Sequence, residues 1–288
     1  MARDSHGASE SLPAYLKLAG EVLMGQTPGF DLNEKECALI HTGGMLPNRA
    51  NAVVMLEDTQ VLDAGEIEIY RSVAPGENMI EIGEDIPEGG IVIPKGTRLR
   101  PAEIGGLLAL GITKIKTVIP PRIGIISSGD EVIPPDQKPK LGEVRDINSY
   151  TLGALISELG AETVHYGIIP DNRNALRGVI TRALQECDHL IVTAGSSASA
   201  RDLTAEIMNE LGDPGVFVHG LQIKPGKPTI FALAKGKLMI GLPGNPVSAL
   251  VIAQVMIKPI FAYLMGLRKD TRSMIEAKLT VNIASQAG

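Results

Sequence analysis

From Pro121 onward, short apolar runs alternate with longer segments of helical period. No other feature constrains the fold as much. "RIGIISSGDEVI" predicts a buried strand and a loop, and "DINSYTLGALISELG" a capped helix closing on Gly160. "AETVHYGIIPD" follows as a strand, "NRNALRGVITRALQEC" as a helix, and "DHLIVTAGSSASARD" as a strand entering a small-residue loop. "LTAEIMNELG" reads as helix, and "LMIGLPGNPVSALVIAQVMIKPIFAYLMG" as strand, turn and long helix. Strands alternating with helices imply a parallel sheet with right-handed crossovers. Ligands in such sheets bind outside the carboxyl ends of the strands.

The chain before Pro121 has a different pattern. From Pro13 to about Gly83, "LKLAGEV", "AVVMLEDTQVL", "EIEIYRSV" and "NMIEI" alternate apolar and polar residues, separated by Gly, Pro, Asn and Asp. This predicts a small, mostly antiparallel β-domain. Residues 84–118 read as a turn, a short strand, a helix from about Pro101 to Leu110, and another strand. Pro101 sits where a first helical turn accepts proline. At the far end, "DTRSMIEAKLTVNIASQAG" predicts the first strand of a further β-domain that the chain does not go on to complete.

Composition removes several classes of function. The 288 residues carry a net charge of −6, with 3% aromatics and no Trp. Stacking platforms for single-stranded nucleic acid need aromatics, and nucleic-acid or anionic-membrane partners need a basic surface. Neither is expected as a partner, so an anion site has to be local. No run reaches the ~20 apolar residues of a membrane span, and "MARDSHGASE" lacks a signal-peptide core. Cys37 and Cys187 lack metal-ligand spacing and read as free thiols of a cytoplasmic protein. The five histidines are scattered and read as structural. G-x-S-x-G, G-x-G-x-x-G and the Walker A pattern are missing, which argues against a serine hydrolase, a dinucleotide enzyme and a P-loop ATPase.

Four loops fall at predicted strand carboxyl ends. In "SSGDEV", Ser128 and Gly129 lead into the carboxylates of Asp130 and Glu131. In "TAGSSASARD", Gly195, Ser196 and Ser197 let backbone amides approach a ligand, and Asp202 is expected at the start of the next helix. Such a loop can cradle phosphate and offer a carboxylate to Mg2+. "KPGK" places Lys224 and Lys227 on a turn with Pro225, Gly226 and Pro228. "GLPGNPVSA" carries Pro243, Gly244, Asn245, Pro246 and Ser248 in a stiff turn that opens a helix. Taken singly, each is more often only a turn. Asp130 and Glu131 could be a solvated pair, and Asp202 a helix cap. Together they set two lysines against two or three carboxylates, an arrangement that suits an anionic ligand with a divalent metal.

In this order and spacing the loops resemble the MoeA family, including the gephyrin E domain, the molybdenum insertases. The stretches that carry the resemblance span nearly the whole chain: "GASESLPAYLKLAGEVLMGQTP", "HTGGMLPNRANAVVMLEDT", "GEDIPEGGIVIPKGTRLRPAEIGGLLALGI", "SSGDEV", "DINSYTLGALISELGAE", "IKPGKPT" and "GLPGNPVSA". The resemblance implies a multidomain α/β plus β protein. Residues 1–83 would be a small β-domain and 84–120 part of a linking domain. Residues 121–265 would be a MogA-like three-layer domain with a parallel-rich sheet that binds molybdopterin, and 266–288 would begin the C-terminal β-domain.

The resemblance also implies an activity: Mg2+-dependent insertion of molybdate into adenylylated molybdopterin, with release of AMP. Lys224 and Lys227 match the lysine pair near molybdate, and Ser197 and Asp202 the small-residue loop and its acidic residue, with Asp202 as the metal ligand. Glu131 and Asp85 are expected to be catalytic, and Asn148 to bind substrate. Thr42 and Asp85 match positions facing the partner subunit's site in a homodimer, and a MogA-type adenylyltransferase is an implied partner. The family's S-G-G-x-S-x-G loop reads T-A-G-S-S-A-S here, with Ala194 and Ser199 in place of glycines. Two alternatives stay open: a molybdopterin adenylyltransferase-like enzyme, and a non-catalytic gephyrin-like scaffold.

Overall fold

The structure is a computed structural model. It describes all residues except 63–64, 195–197, 268–274, 279 and 282–288, and the backbone only of 198–200. The chain divides into two compact units, Met1–Val92 and Ile93–Gly288.

The first unit is built on a four-stranded sheet. Its strands are β1 (Ala14–Val22), β2 (Glu36–Ile40), β3 (Thr59–Val61) and β4 (Glu66–Ile69), in the order β2-β1-β4-β3. Leu16, Val22, Leu32 and Ile69 are buried. Two pairings are antiparallel as expected, but β1 and β2 run parallel, so the sheet is mixed. Gly20 follows a shift of register in β1, where a Cβ would come within 3.1 Å of the Phe30 ring.

Of the four expected strands of this region, one forms only in part and one does not form. "AVVMLEDTQVL" contributes only Thr59–Val61 after a 3-10 turn at Leu56–Asp58, and "NMIEI" contributes none. "ECALI", not anticipated, forms β2. Alternation specifies a strand only where a neighbour pairs with it, and Ile80 and Ile82 lie exposed with no ladder beside them.

In the second unit, helix α1 (Pro101–Ala109) starts as expected, with Glu103 accepting from the Arg100 amide at 2.8 Å. The strands expected on either side of it are absent, and Ile91, Ile115, Val118 and Ile119 are exposed. Further on are β5 (Arg122–Ser128), β6 (Val132–Ile133), β7 (Val144–Arg145), α2 (Asn148–Glu158) and β8 (Glu162–Ile169). Next come α3 (Arg173–Glu186), β9 (His189–Ala194), α4 (Ala198–Leu211), β10 (Gly215–His219), β11 (Ile230–Ala234) and β12 (Lys237–Pro243). The last elements among the described residues are α5 (Pro246–Ile252), a π-helical turn (Ala253–Ile257) and α6 (Lys258–Leu264). Residues 275–278 have no regular structure, and the rest of the strand expected near the end lies largely outside the described residues.

The main sheet runs β10-β11-β12-β9-β5-β8. β12, β9, β5 and β8 are parallel, and β11 is antiparallel to both its neighbours. The inner strands β5, β9, β11 and β12 are almost wholly buried, as helix-covered sheets require. Ile123, Ile125, Ile191 and Ile240 pack with Leu152 and Ile156 of α2 and with Ile252, Ile257 and Phe261. Ile126, Leu190, Val192 and Met239 pack with Leu176 and Ile180 of α3 and with Ile207 and Met208 of α4. The result is three layers.

The β11–β12 hairpin turns at Lys235 and Gly236, both with positive φ. The helical run Pro246–Leu264 has 19 residues and a mean hydropathy of 1.8, so by length and composition it reaches the size of a membrane span. This corrects the expectation that no stretch does. Its inward side packs in the core through Ala249, Ile252, Ala253, Ile257 and Phe261.

Candidate functional site at the carboxyl edge of the sheet

Register places the candidate loops of the second unit on one edge. β5 ends at Ser128, β9 at Ala194 and β12 at Pro243, with Ser127 paired to Thr193 and Leu242 to Thr193 across the ladders. β11 runs the other way, so its start at Ile230, opposite Gly241, falls on the same edge. The lysine turn leads from β10 into β11. It lies three strand spacings, about 14 Å, from the loop after β5.

The lysine turn is fixed from below. Gly226 is buried with φ +118°, and a Cβ there would lie 2.5 Å from Ile252 of α5. No side chain fits, so the backbone packs directly on the helix. Thr229 Oγ1 donates to the Gly226 carbonyl at 2.7 Å, the Leu221 amide to the Lys227 carbonyl at 2.7 Å, and the Lys224–Pro225 peptide is cis. Lys224 and Lys227 are exposed, and neither forms an ion pair among the described residues.

The loop after β5 is held by two carboxylates that sequence reasoning passed over. Asp146, buried, takes Ser127 Oγ at 2.7 Å and Ser149 Oγ at 2.6 Å on Oδ2, and the Ser149 amide at 3.1 Å on Oδ1. It thereby joins the end of β5 to the first turn of α2. Thr193 at the end of β9 reaches Ser127 at 3.4 Å. Asp171, in the loop after β8, accepts from Ser128 Oγ at 2.7 Å, and its amide donates to Asp130 Oδ1 at 3.1 Å. The available signal was position: Asp171 follows a predicted strand, and Asp146 precedes a predicted helix. Gly129 has φ +149°, and Glu131 folds back over it, its Oε2 lying 2.8 Å from where a Cβ would stand.

Asn148 Nδ2 donates to the Gly244 carbonyl at 2.8 Å, and its buried Oδ1 has no hydrogen-bond partner among the described residues. Pro243 is the buried last residue of β12, and Pro246 the first residue of α5. Asn245 caps α5, accepting from the Ser248 amide at 3.2 Å. The Ser248 amide is therefore committed to the cap. Asp202 does not begin its helix, contrary to expectation. α4 starts at Ala198, and Asp202 is exposed in its second turn. It cannot cap α4. Gly195, Ser196 and Ser197 lie outside the described residues. Ala194 pairs with Pro243 as an ordinary strand residue and Ser199 is in helix, so neither position uses the left-handed backbone that would demand glycine.

Among the described residues no three His, Cys, Asp or Glu side chains come together as a metal cage. Mg2+ rarely uses one. It keeps several waters and binds one or two carboxylates together with substrate phosphates. Exposed carboxylates at this edge, Asp130 and Asp202, fit that donor set. Thr42, in the turn after β2, and Asp85, in a bend, belong to the first unit and are both exposed.

A three-layer α/β unit with a cation turn and carboxylates at the carboxyl edge is the frame of a ligand-binding α/β domain. Residues 124–263 match the family described as "Probable molybdopterin binding domain", and residues 1–111 match "MoeA N-terminal region (domain I and II)". The chain belongs to the MoeA family of molybdopterin molybdenumtransferases. It is 31% identical to the molybdopterin molybdenumtransferase of Haemophilus influenzae over 95% of its own length and 67% of that protein. It is 30% identical to molybdopterin molybdenumtransferase 2 of Mycobacterium tuberculosis (strain ATCC 25618 / H37Rv) over its full length and 72% of that protein. A crystal structure of the molybdopterin biosynthesis MoeA protein from Pyrococcus horikoshii OT3 superposes with a TM-score of 0.74 at 30% identity. That match covers 93% of this chain and 65% of the other, so the chain spans about two thirds of its relatives' length.

Proposed function

We propose that this chain carries the substrate-handling core for insertion of molybdate into adenylylated molybdopterin with release of AMP. The observation that carries the reading is the lysine turn. Two exposed cations, without an ion pair among the described residues, stand on a backbone that Gly226 locks against Ile252. A lysine ammonium is a compact point charge suited to an oxyanion. A turn that is already ordered loses little entropy when it binds one.

In this reading Lys224 and Lys227 hold molybdate beside the substrate, and the loop after β5 lines the substrate's path. Gly129 brings the backbone close, Asp171 and Asp146 orient Ser128 and Ser127, and Asn148 Oδ1 accepts a ligand N–H. Asp202 and Asp130 supply oxygen to Mg2+. The ion, when bound, polarises the phosphoanhydride. The reaction needs no strong base from the chain. It needs positive charge that keeps two anions together. Thr42 and Asp85 serve the site of a second subunit in a homodimer, and a MogA-type adenylyltransferase supplies the adenylylated substrate in the cytoplasm.

The test is single-turnover AMP release from adenylylated molybdopterin with Mg2+, with and without molybdate. The Lys224→Ala, Lys227→Ala double variant is expected to lose the molybdate dependence while its melting temperature stays unchanged. Release that is still molybdate-dependent would remove the lysines from this role.

A further inference from the structure

We propose that Arg173, the first residue of α3, is a positioning residue that sets the separation of Asp130 and Asp202, the two carboxylates offered to Mg2+. The inference rests on the function proposed above and adds to it a residue that acts through others. The Arg173 guanidinium forks onto α4. Nη1 donates to Glu206 at 2.7 Å, and Nη2 donates to Glu210. Arg177, one turn further along α3, places its Nε 3.9 Å from Glu210. All four side chains are exposed. An isolated surface ion pair contributes little, but a forked guanidinium within a network of charges holds a geometry.

Local preference opposes both ends of this clamp. Arg173 puts a cation at the positive end of α3, and Glu210 puts an anion at the negative end of α4. Asp202, Glu206 and Glu210 follow one another at intervals of four on the exposed side of α4, so like charges stand in a row. The contact between the helices offsets these costs for Glu206 and Glu210. Asp202 is left without an ion pair among the described residues. It lies one turn from Glu206, about 6 Å along the axis towards the start of α4.

A continuous path joins the two carboxylates. Asp130 Oδ1 accepts from the Asp171 amide at 3.1 Å, and Asp171 also takes Ser128 Oγ. Asn172 caps α3, accepting from the amides of Asn174 and Ala175, so the backbone on either side of Arg173 is fixed. From there the guanidinium reaches Glu206, and one helical turn leads to Asp202. The rest of the contact between the helices is apolar, through Leu176 and Ile180 of α3 and Ile207 and Met208 of α4. Apolar burial is non-directional and does not fix a helix along its axis. Mg2+ demands near-ideal octahedral geometry, so a small slide of α4 disturbs its coordination.

The test titrates Mn2+, a paramagnetic stand-in for Mg2+, into the full chain with AMP, followed by electron paramagnetic resonance. Arg173→Ala is expected to weaken Mn2+ binding about tenfold, the lower end of the cost of losing a group that supports a metal ligand. The direction excludes a plain charge effect, because removing a positive charge near a cation tightens its binding. Arg173→Lys keeps the charge without the fork and should weaken Mn2+ by less. It also carries the test if melting curves show that Arg173→Ala does not fold. Added to Asp202→Asn, either substitution is expected to have no further effect. Unchanged or tighter Mn2+ binding in the Arg173 variants overturns the inference, even if their melting temperature falls. If Asp202→Asn weakens Mn2+ and the Arg173 variants do not, only the clamp fails. If Asp202→Asn also leaves Mn2+ binding unchanged, or the unaltered chain takes up none, the metal reading fails and this inference with it.

Discussion

Asn148 and Gly244 are 96 residues apart in sequence and joined by a 2.8 Å hydrogen bond from Nδ2 to the carbonyl. The bond fastens the first turn of α2 to the loop that ends β12. Asp146 ties the same turn of α2 to Ser127 at the end of β5, so the loops after β5 and β12 are linked through α2 before any ligand arrives. Asn148→Ala is expected to cost about 1 kcal/mol of stability, the net value of one hydrogen bond. It should also weaken AMP binding, because the buried Oδ1 acceptor is lost with it. Urea denaturation and calorimetry measure the two effects separately.

Gly226 tests whether the lysine turn must sit on the helix. A Cβ at this position would overlap Ile252 at 2.5 Å with φ at +118°. Gly226→Ala is expected to destabilise by about 1–3 kcal/mol, as overpacking does. Molybdate dependence of AMP release should fall even though both lysines remain. A variant as stable as the parent would show that the turn can lift off α5 at no cost.

Asp146 holds three donors in a buried position. Asp146→Ala leaves the hydroxyls of Ser127 and Ser149 without their acceptor, and a loss of about 2–4 kcal/mol is expected. Asp146→Asn keeps the shape and one acceptor, and should recover part of that loss. Equal unfolding midpoints for the two variants would contradict the hydrogen-bond account.

His189 gives the fold a pH dependence. Burial pushes its pKa down, with Asp188 opposing and Lys237 adding to the shift. Its Nδ1 accepts from the Leu238 amide at 3.0 Å, a bond only an unprotonated Nδ1 can accept. The unfolded chain therefore binds the proton first, and its contribution to stability is complete above about pH 6.5 and shrinks as pH falls through the lowered native pKa. In His189→Asn, whose side-chain oxygen can accept the same amide, the loss of stability between pH 7 and 5 should be smaller. Chemical denaturation at several pH values provides the comparison.

The sequence by itself determined the alternation after Pro121, the positions of β5, β8, β9 and β12, and the loops that follow them. Apolar period and Gly or Pro punctuation are local properties, and they act before any partner is present. The family was legible for a related reason: a stretch such as "IKPGKPT" combines backbone and charge requirements that few other sites impose.

Only the tertiary structure decided which alternating segments become strands. "NMIEI" has the strand pattern and "ECALI" was not anticipated, yet only the second finds a neighbour, in β1. It also decided that α4 begins at Ala198, well before Asp202, and that Asp146 and Asp171 are the carboxylates that anchor the loop after β5. Pairing, cap competition and the burial of a charge depend on atoms distant in sequence, and their energies exist only once the chain has closed around them.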